Sequence, residues 1–303
     1  MAWWCSGMRW RVAASPADGG GAPVLRWVGD GQRERESPLV LGCDIAIRAV
    51  GERRCLGVWR GGAWRVCAGR AVVSERVGRA QCAECARMDR AHSVAADTVA
   101  DDPRPYFVYL AYFGPGLLKV GITGVARGSA RLLEQGAVTF SWLGRGPLMA
   151  ARRAEELLRT ALGVPDRIPY ERKRAVRGSL PDAEERAAGL GLLHARAVAL
   201  QGWPESLERM PFEPVDHGDV FRLGPTVAPR AVVTALGDGV VVAGRLLCAA
   251  GPDLHLSAGV STLVVDTRLM AGWQLLASPG DALTTAAVRE LPDPAPPVQD
   301  GLF

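Results

Sequence analysis

The chain has 303 residues, 48% hydrophobic and 22% charged, with a formal net charge of +4 and a pI of about 8.8. These are the proportions of a soluble globular protein, with no run of about 18 apolar residues to span a membrane and no uninterrupted apolar stretch in the N-terminal MAWWCSGMRWRV to mark a signal peptide. The charge is too small to argue nucleic-acid binding unaided, and a cytoplasmic protein of one large domain or two to three small ones is expected.

Of the 36 basic residues only Lys119 and Lys173 are lysine. With the heavy use of Ala, Gly and Pro, this suggests a GC-rich bacterial genome. Arginine abundance is then a weak signal, whereas a lysine inside a structural motif is a stronger one.

Residues 1–80 read as short strands: MRWRVA, PVLRWVG, LVLGCDIAIRAVG, CLGVWR, AWRVCAG and AVVSERV, with a Gly-rich break at 19–22. The cysteine count is 7, at positions 5, 43, 55, 67, 82, 85 and 248. An odd number without an export signal argues against a disulfide framework. Cys55 and Cys67 end two strand-like segments around a Gly-Gly turn, and Cys82-Ala-Glu-Cys85 leads into a helical stretch at 86–97. A two-residue spacer lets both thiolates of one turn reach the same tetrahedral ion, so these four form a treble-clef-like Zn2+ site, with His92 and Cys43 as reserve ligands. Reduced thiols without metal are the alternative. A redox C-x-x-C is a weaker one, because no βαβ pattern surrounds the pair.

Asp101-Asp102-Pro103-Arg104-Pro105 is a linker, and YFVYLAY and LLKVGIT flank a Gly-Pro-Gly turn, which predicts a hairpin. Alternation puts Tyr106, Val108, Leu110 and Tyr112 on one face and Phe107, Tyr109 and Ala111 on the other, with Lys119, Gly121 and Thr123 sharing a face of the second strand. The hairpin brings a phenol, Tyr109, beside an amine, Lys119, and Gly121 permits close approach of a backbone or phosphate. Arg131 follows at the end of a short helical segment, then the strand-like VTFSWL and a helix over 148–162. At about 100° per residue Glu155 falls on the flank of that helix's apolar face, whereas Glu156 falls in solvent within reach of Arg152. Packing, surface charge and a Glu155–Arg159 ion pair are the bland readings of these residues.

Residues 166–215 read as charged and mostly helical, and residues 216–286 as strands: VFRLG, RAVVTAL, GVVVAGRLLCAA, DLHLSA, STLVVDT and GWQLLAS, with Asp238-Gly239 as a hairpin turn. This β unit forms a small barrel or pairs with the N-terminal strands; the sequence leaves both open. The tail LPDPAPPVQDGLF is Pro-rich and extended.

The string VYLAYFGPGLLKVGIT, then RLLEQGA, then RRAEELL, resembles an uncharacterised bacterial domain-of-unknown-function family that joins a Cys-rich N-terminal region to a GIY-YIG endonuclease-like core. The half-motifs would be Val108-Tyr109-Leu110 and Lys119-Val120-Gly121. The expected fold is α+β, with a β-rich zinc region over 1–102, a helical extension over 166–215, a small β unit over 216–288 and a disordered tail over 289–303 read from the residues, and a GIY-YIG-like core over 103–165 implied by the resemblance. The resemblance also implies Tyr109, Arg131 and Glu155 as site residues, with Glu155 holding Mg2+ or Mn2+. Lys119 stands where the superfamily often has Tyr, and no Asn matches its late site residue.

The function expected is a nucleic-acid-processing one, a metal-dependent phosphodiesterase of DNA repair or replication with Tyr109, Lys119, Arg131 and Glu155 at its site. A non-catalytic module that contacts phosphates through Lys119, Arg127 and Arg131, or a protein-interaction scaffold, is the alternative. The last five residues, Gln299-Asp300-Gly301-Leu302-Phe303, resemble the bacterial sliding-clamp binding peptide, in which a Gln and a Leu-Phe pair fill pockets. Asp300 replaces its favoured apolar residue.

Overall fold

The computed structural model describes residues 2–12, 20–30, 33–60, 63–75, 78–91, 102, 104–224, 228–259 and 261–291, an α+β fold of mostly antiparallel sheets with seven helices. His92 and the tail residues Gln299, Leu302 and Phe303 lie outside the described residues.

The first sheet is β1 (Trp3–Val12), β2 (Gly21–Gly29) and β3 (Glu34–Pro38), in that order. Its buried Trp10, Leu25 and Trp27 join the largest core. β3 reads ERESP and has no strand signal. It forms as an edge strand because Glu34 and Glu36 pair with Arg26 and Arg11 across the neighbouring strands. The long run LVLGCDIAIRAVG yields only β4 (Asp44–Val50). A hairpin of β5 (Val58–Arg60) and β6 (Ala63–Arg65) follows, then α1 (Ala83–Ala91).

The middle of the chain is built on β7 (Pro105–Tyr112) and β8 (Leu118–Gly124), antiparallel with Tyr109 opposite Gly121 and Ala111 opposite Lys119. A 3₁₀ turn at Val125–Arg127, α2 (Ala130–Gln135), β9 (Thr139–Pro147) and α3 (Leu148–Leu162) come next. β9 pairs with the other side of β7, with a bulge after Val108. Both hairpin faces are packed, as the alternation requires. Tyr106, Val108, Leu110 and Tyr112 meet α3 residues Ala151, Ala154 and Leu158, whereas Tyr109, Ala111 and Phe113 meet Leu132, Phe140 and Ile168. Truncating a fully buried leucine such as Leu110 or Leu132 would cost about 2–5 kcal/mol.

α4 (Tyr170–Val176) and α5 (Ala183–Val198) make up the helical segment, with Asp182 capping α5 through the Glu185 N–H. The segment also supplies β10 (Glu208–Arg209) and, with the next residue, β11 (Val215–Asp216), which both extend the sheet on the β9 side. Two-residue strands carry no alternation to read. The expected strand VFRLG is instead α6 (Gly218–Phe221) and its cap, with Phe221 folded into the core.

β12 (Ala231–Val233), β13 (Val241–Ala250), β14 (Asp253–Ala258), β15 (Ser261–Asp266), α7 (Thr267–Met270), β16 (Gln274–Ala277) and β17 (Val288–Glu290) complete the chain. They form a seven-stranded sheet of order β16-β4-β13-β14-β15-β12-β17, so β4 of the N-terminal region is enclosed by C-terminal strands. The second of the two arrangements open in the sequence is the one adopted. Asp238-Gly239 is a turn but closes no hairpin: β12 pairs with β15 and β17, and β13 with β4 and β14. The turn is held by β4, through the Gly239 N–H to Ala49 O at 2.8 Å and the Gly51 N–H to Asp238 Oδ1 at 2.7 Å. No helix among the described residues is long and apolar enough to cross a membrane.

A buried ionic knot joins α4 to this sheet. Asp253, fully buried, takes Arg174 Nη2 and Arg177 Nη1 each at 2.6 Å, and Arg174 Nη2 also reaches Asp266 at 2.7 Å. Burial would raise the Asp253 carboxyl, but the two guanidiniums hold it below the usual carboxylate range. Removing one partner would strand a buried charge and cost about 3–5 kcal/mol. The knot fixes α4 beside the end of α2, where Lys173 donates to Gln135 O.

Candidate active-site groove and metal centre

The four cysteines Cys55, Cys67, Cys82 and Cys85 converge with every pair of Sγ atoms within 4.8 Å. Four thiolates around a Zn2+ at about 2.3 Å stand about 3.8 Å apart, so the donors match a tetrahedral thiolate-bound ion in number, type and spacing. Cys55 precedes the β5–β6 hairpin, Cys67 follows it, Cys82 precedes α1 and Cys85 lies in its first turn. The helix starts at 83, before the sequence boundary, because the C-x-x-C turn is itself its N-terminus.

Gly57 makes the turn after Cys55. Its φ is +97°, and a Cβ there would stand 1.9 Å from Arg65 O on the facing strand. The Cys82 N–H donates to Cys55 Sγ at 3.1 Å. The Cys82 thiol is drawn down to about 7, first by the Cys85 backbone N–H, whereas burial pushes Cys55 and Cys85 up. Cys43 is exposed on the turn before β4 and is not part of the cluster.

Tyr109, Lys119, Arg127, Arg131 and Glu155 all line one groove of about 890 Å³, together with Asp166. Five separate elements contribute them: β7, β8, the 3₁₀ turn, α2 and α3. Arg131 is the second residue of α2, at its start rather than its end, which turns it to the groove mouth while Leu132 and Leu133 are buried.

The floor is a hydrogen-bonded triad. Lys119 Nζ donates to Tyr109 Oη at 3.3 Å and to Gln135 Oε1 at 2.7 Å, and Gln135 Nε2 donates to Tyr109 Oη at 2.7 Å. Tyr109 is 1% exposed, Gln135 6% and Lys119 8%, so the triad is fixed by packing as well as by its bonds. The phenol oxygen accepts twice, from Lys119 Nζ and Gln135 Nε2. Gly121 admits close approach, but the group that approaches is Tyr109 itself: a Cβ at 121 would lie 2.4 Å from Tyr109 Oη.

Helix phase separates the two glutamates. Glu156 is exposed and bound by Arg159, Nη2 to Oε1 at 2.6 Å, so the arginine that spacing offers to Glu155 is taken by its neighbour. Glu155 is half-buried in the groove wall, its carboxyl raised by burial and then by Asp166, against the lowering effect of Lys119 and Arg152. Half-buried Glu155 and exposed Asp166 both line the groove, with exposed Glu156 at its edge, and the first two could share a hard divalent cation whose remaining positions would be filled by water and phosphate oxygens. Among the described residues the four cysteines are the one group of three or more ligating side chains close enough to hold an ion unaided. Arg127 is engaged by Glu134 at the rim.

Gln135, Asp166 and Lys173 are absent from the sequence-derived set. Lys173 is 3% exposed, donates to Gln135 O at 2.9 Å and lies 3.8 Å over the Phe113 ring and 4.5 Å over that of Tyr170. Burial, then the Lys119 charge, pushes its amine down to about 6. The two lysines of this arginine-rich chain thus meet at one glutamine. The rarity of lysine was a signal for both, whereas Gln135 stood in the string RLLEQGA without a role of its own.

A family model described as "Protein of unknown function (DUF2797)" matches residues 42–275, most of the chain, and the chain belongs to that family. The match takes in the cysteine cluster and the whole groove and begins after β3. No curated protein and no solved structure matches the chain.

Proposed function

We propose that this DUF2797 chain is a metal-dependent phosphodiesterase of nucleic-acid processing, built on a GIY-YIG-like core and working in DNA repair or replication. The observation that carries the reading is the groove in which Tyr109, Lys119, Arg131 and Glu155 meet around a buried triad. Hydrolysis of a phosphodiester forms a P–O bond to water and breaks one to a sugar oxygen, and the charge that builds on phosphorus oxygens needs cations and a metal. Glu155, seconded by Asp166, would hold Mg2+ or Mn2+. Arg131 would neutralise phosphoryl charge. Tyr109, gripped by Lys119 and Gln135, would orient the attacking water. The four-cysteine cluster would hold a structural Zn2+.

Cleavage of a panel of branched, nicked and single-stranded DNA with Mg2+ or Mn2+ tests this. Cleavage lost in Glu155→Ala supports it; no cleavage of any substrate contradicts it. Salt-dependent binding without cleavage would favour the second reading, a module holding phosphates through Lys119, Arg127 and Arg131, for which the cationic lining of the same groove speaks.

The tail peptide adds a partner of this reading: Gln299, Leu302 and Phe303 would dock on a bacterial sliding clamp. Fluorescence anisotropy of the 290–303 peptide should show binding that is lost in the Leu302→Ala, Phe303→Ala double variant. No binding at high-micromolar clamp overturns it.

A further inference from the structure

The face of the sheet that bears Tyr109 continues beyond the groove. Across β8, β7 and β9 its rows run Lys119–Ala111–Phe140, Gly121–Tyr109–Trp142 and Thr123–Phe107–Arg145. The first row is buried. In the other two Gly121, Tyr109 and Thr123 are buried as well, but Phe107 and Trp142 are half-buried and Arg145 is exposed.

The two rings stack on each other, with centroids 4.4 Å apart and 23° between planes. Trp142 also packs edge-on against Tyr109 at 6.3 Å and Phe140 at 4.9 Å, so its ring is held by the core and is no mobile surface side chain. Thr123, next to Phe107 across the strand, lines the groove. Arg145 stands beside Phe107 on the far side, with Glu208 as its own cross-strand neighbour.

A rigid aromatic pair on an open sheet face, with cations on both sides, is the arrangement that stacks unpaired bases while the backbone is tracked by charge. An apolar protein segment would want a wider apolar surface without arginines at its border. A paired duplex offers no free base faces here. Continuity with the groove sets the direction, one strand step from Tyr109.

We propose that Phe107 and Trp142 form a stacking platform for an unpaired nucleobase, adjoining the phosphate held in the groove. The substrate class is therefore nucleic acid with a single-stranded or splayed segment. This rests on the reading of the groove as a phosphodiester site.

The test is anisotropy of the full chain with fluorescent oligo(dT) and with a duplex of the same length, with no added Mg2+ or Mn2+, so that binding is read apart from cleavage. Wild type should prefer the single strand and quench a 2-aminopurine placed in it. Trp142→Ala and Phe107→Ala should each weaken single-strand binding about tenfold and duplex binding less than about twofold, with Trp142→Phe retaining wild-type affinity. Phe107→Ala keeps the test decisive if Trp142→Ala fails to fold. Single-strand binding indifferent to both substitutions, equal losses on both DNAs, or no 2-aminopurine quenching overturns the platform alone. Wild-type binding to neither DNA overturns the platform and the nucleic-acid reading together. Binding and stacking without cleavage in the metal-supplemented assay leaves the platform standing and overturns the hydrolase.

Discussion

The cysteine cluster and the groove are sites of opposite construction. The cluster is local: its four ligands come from 31 consecutive residues, Cys55 to Cys85, held by a two-stranded hairpin and the first turn of a short helix. The groove draws its five side chains from five elements, each seated by a core with both hairpin faces buried. The hydrophobic residues packed around the cluster are few, among them Trp4, Leu56, Val58 and Val73. A local site of that kind would depend on a bound ion, whereas the groove depends on packing at a distance. The two should therefore fail independently and for different reasons.

The largest effect is expected from metal removal. Apparent binding of structural Zn2+ contributes about 10–16 kcal/mol in small modules. Chelation or Cys55→Ser should thus release the 53–91 segment to proteolysis, while the sheet around Tyr109 keeps its protection. Metal analysis should return one zinc per chain. Absence of metal with all four thiols freely titratable would break the comparison at its first term.

Next is Glu155→Ala, for which a loss of cleavage on the order of a thousandfold is expected, with little change in melting temperature. Glu156→Ala, which removes an exposed partner of Arg159 and Thr160 at the groove edge, should change the rate far less. Equal effects of the two substitutions would mean that helix phase does not select the site. Because the Glu155 carboxyl is raised, metal-dependent cleavage should fall with decreasing pH sooner than an ordinary carboxylate would dictate.

Gly121→Ala tests the packing argument. The added Cβ, 2.4 Å from Tyr109 Oη, must displace the phenol, an overpacking cost of about 1–3 kcal/mol in urea unfolding. Cleavage should be lost with it. Unchanged stability would show that the ring is not held where the triad needs it.

A pH dependence is expected from Lys173. Its amine is lowered in the folded chain to about 6 from 10.5, so the unfolded chain binds more protons between those values and stability must rise with pH across that window. Lys173→Met should flatten the slope of urea stability over the same range. A wild-type slope of the opposite sign would contradict the burial of this lysine as an uncharged amine.

The groove was more legible in the sequence than the fold around it. Tyr109, Lys119, Arg131 and Glu155 are marked by the order hairpin, helix, strand, helix, a local regularity, and the helix period alone separates Glu155 from Glu156. Gln135 was visible only as a letter of the string RLLEQGA; its part comes from where α2 docks, and neither charge nor periodicity records that. The insertion of β4 between β13 and β16 was hidden for the same reason: a register between residues 47 and 242 leaves no local trace. VFRLG misled because an alternation of apolar residues too short to count periods served a helical turn carrying Phe221 into the core. ERESP stands outside the strand-like runs yet forms β3, with Glu34 and Glu36 paired to Arg26 and Arg11.

The central claim is that side chains from separate elements act as one site, and single-turnover cleavage by wild type, Tyr109→Phe, Glu155→Ala and the double variant tests it most directly. The account predicts metal-dependent cleavage by wild type, a loss of about a hundredfold or more in each single variant, and a double variant no slower than the worse of the two. No wild-type cleavage with either Mg2+ or Mn2+, or losses that multiply as independent sites do, would contradict it.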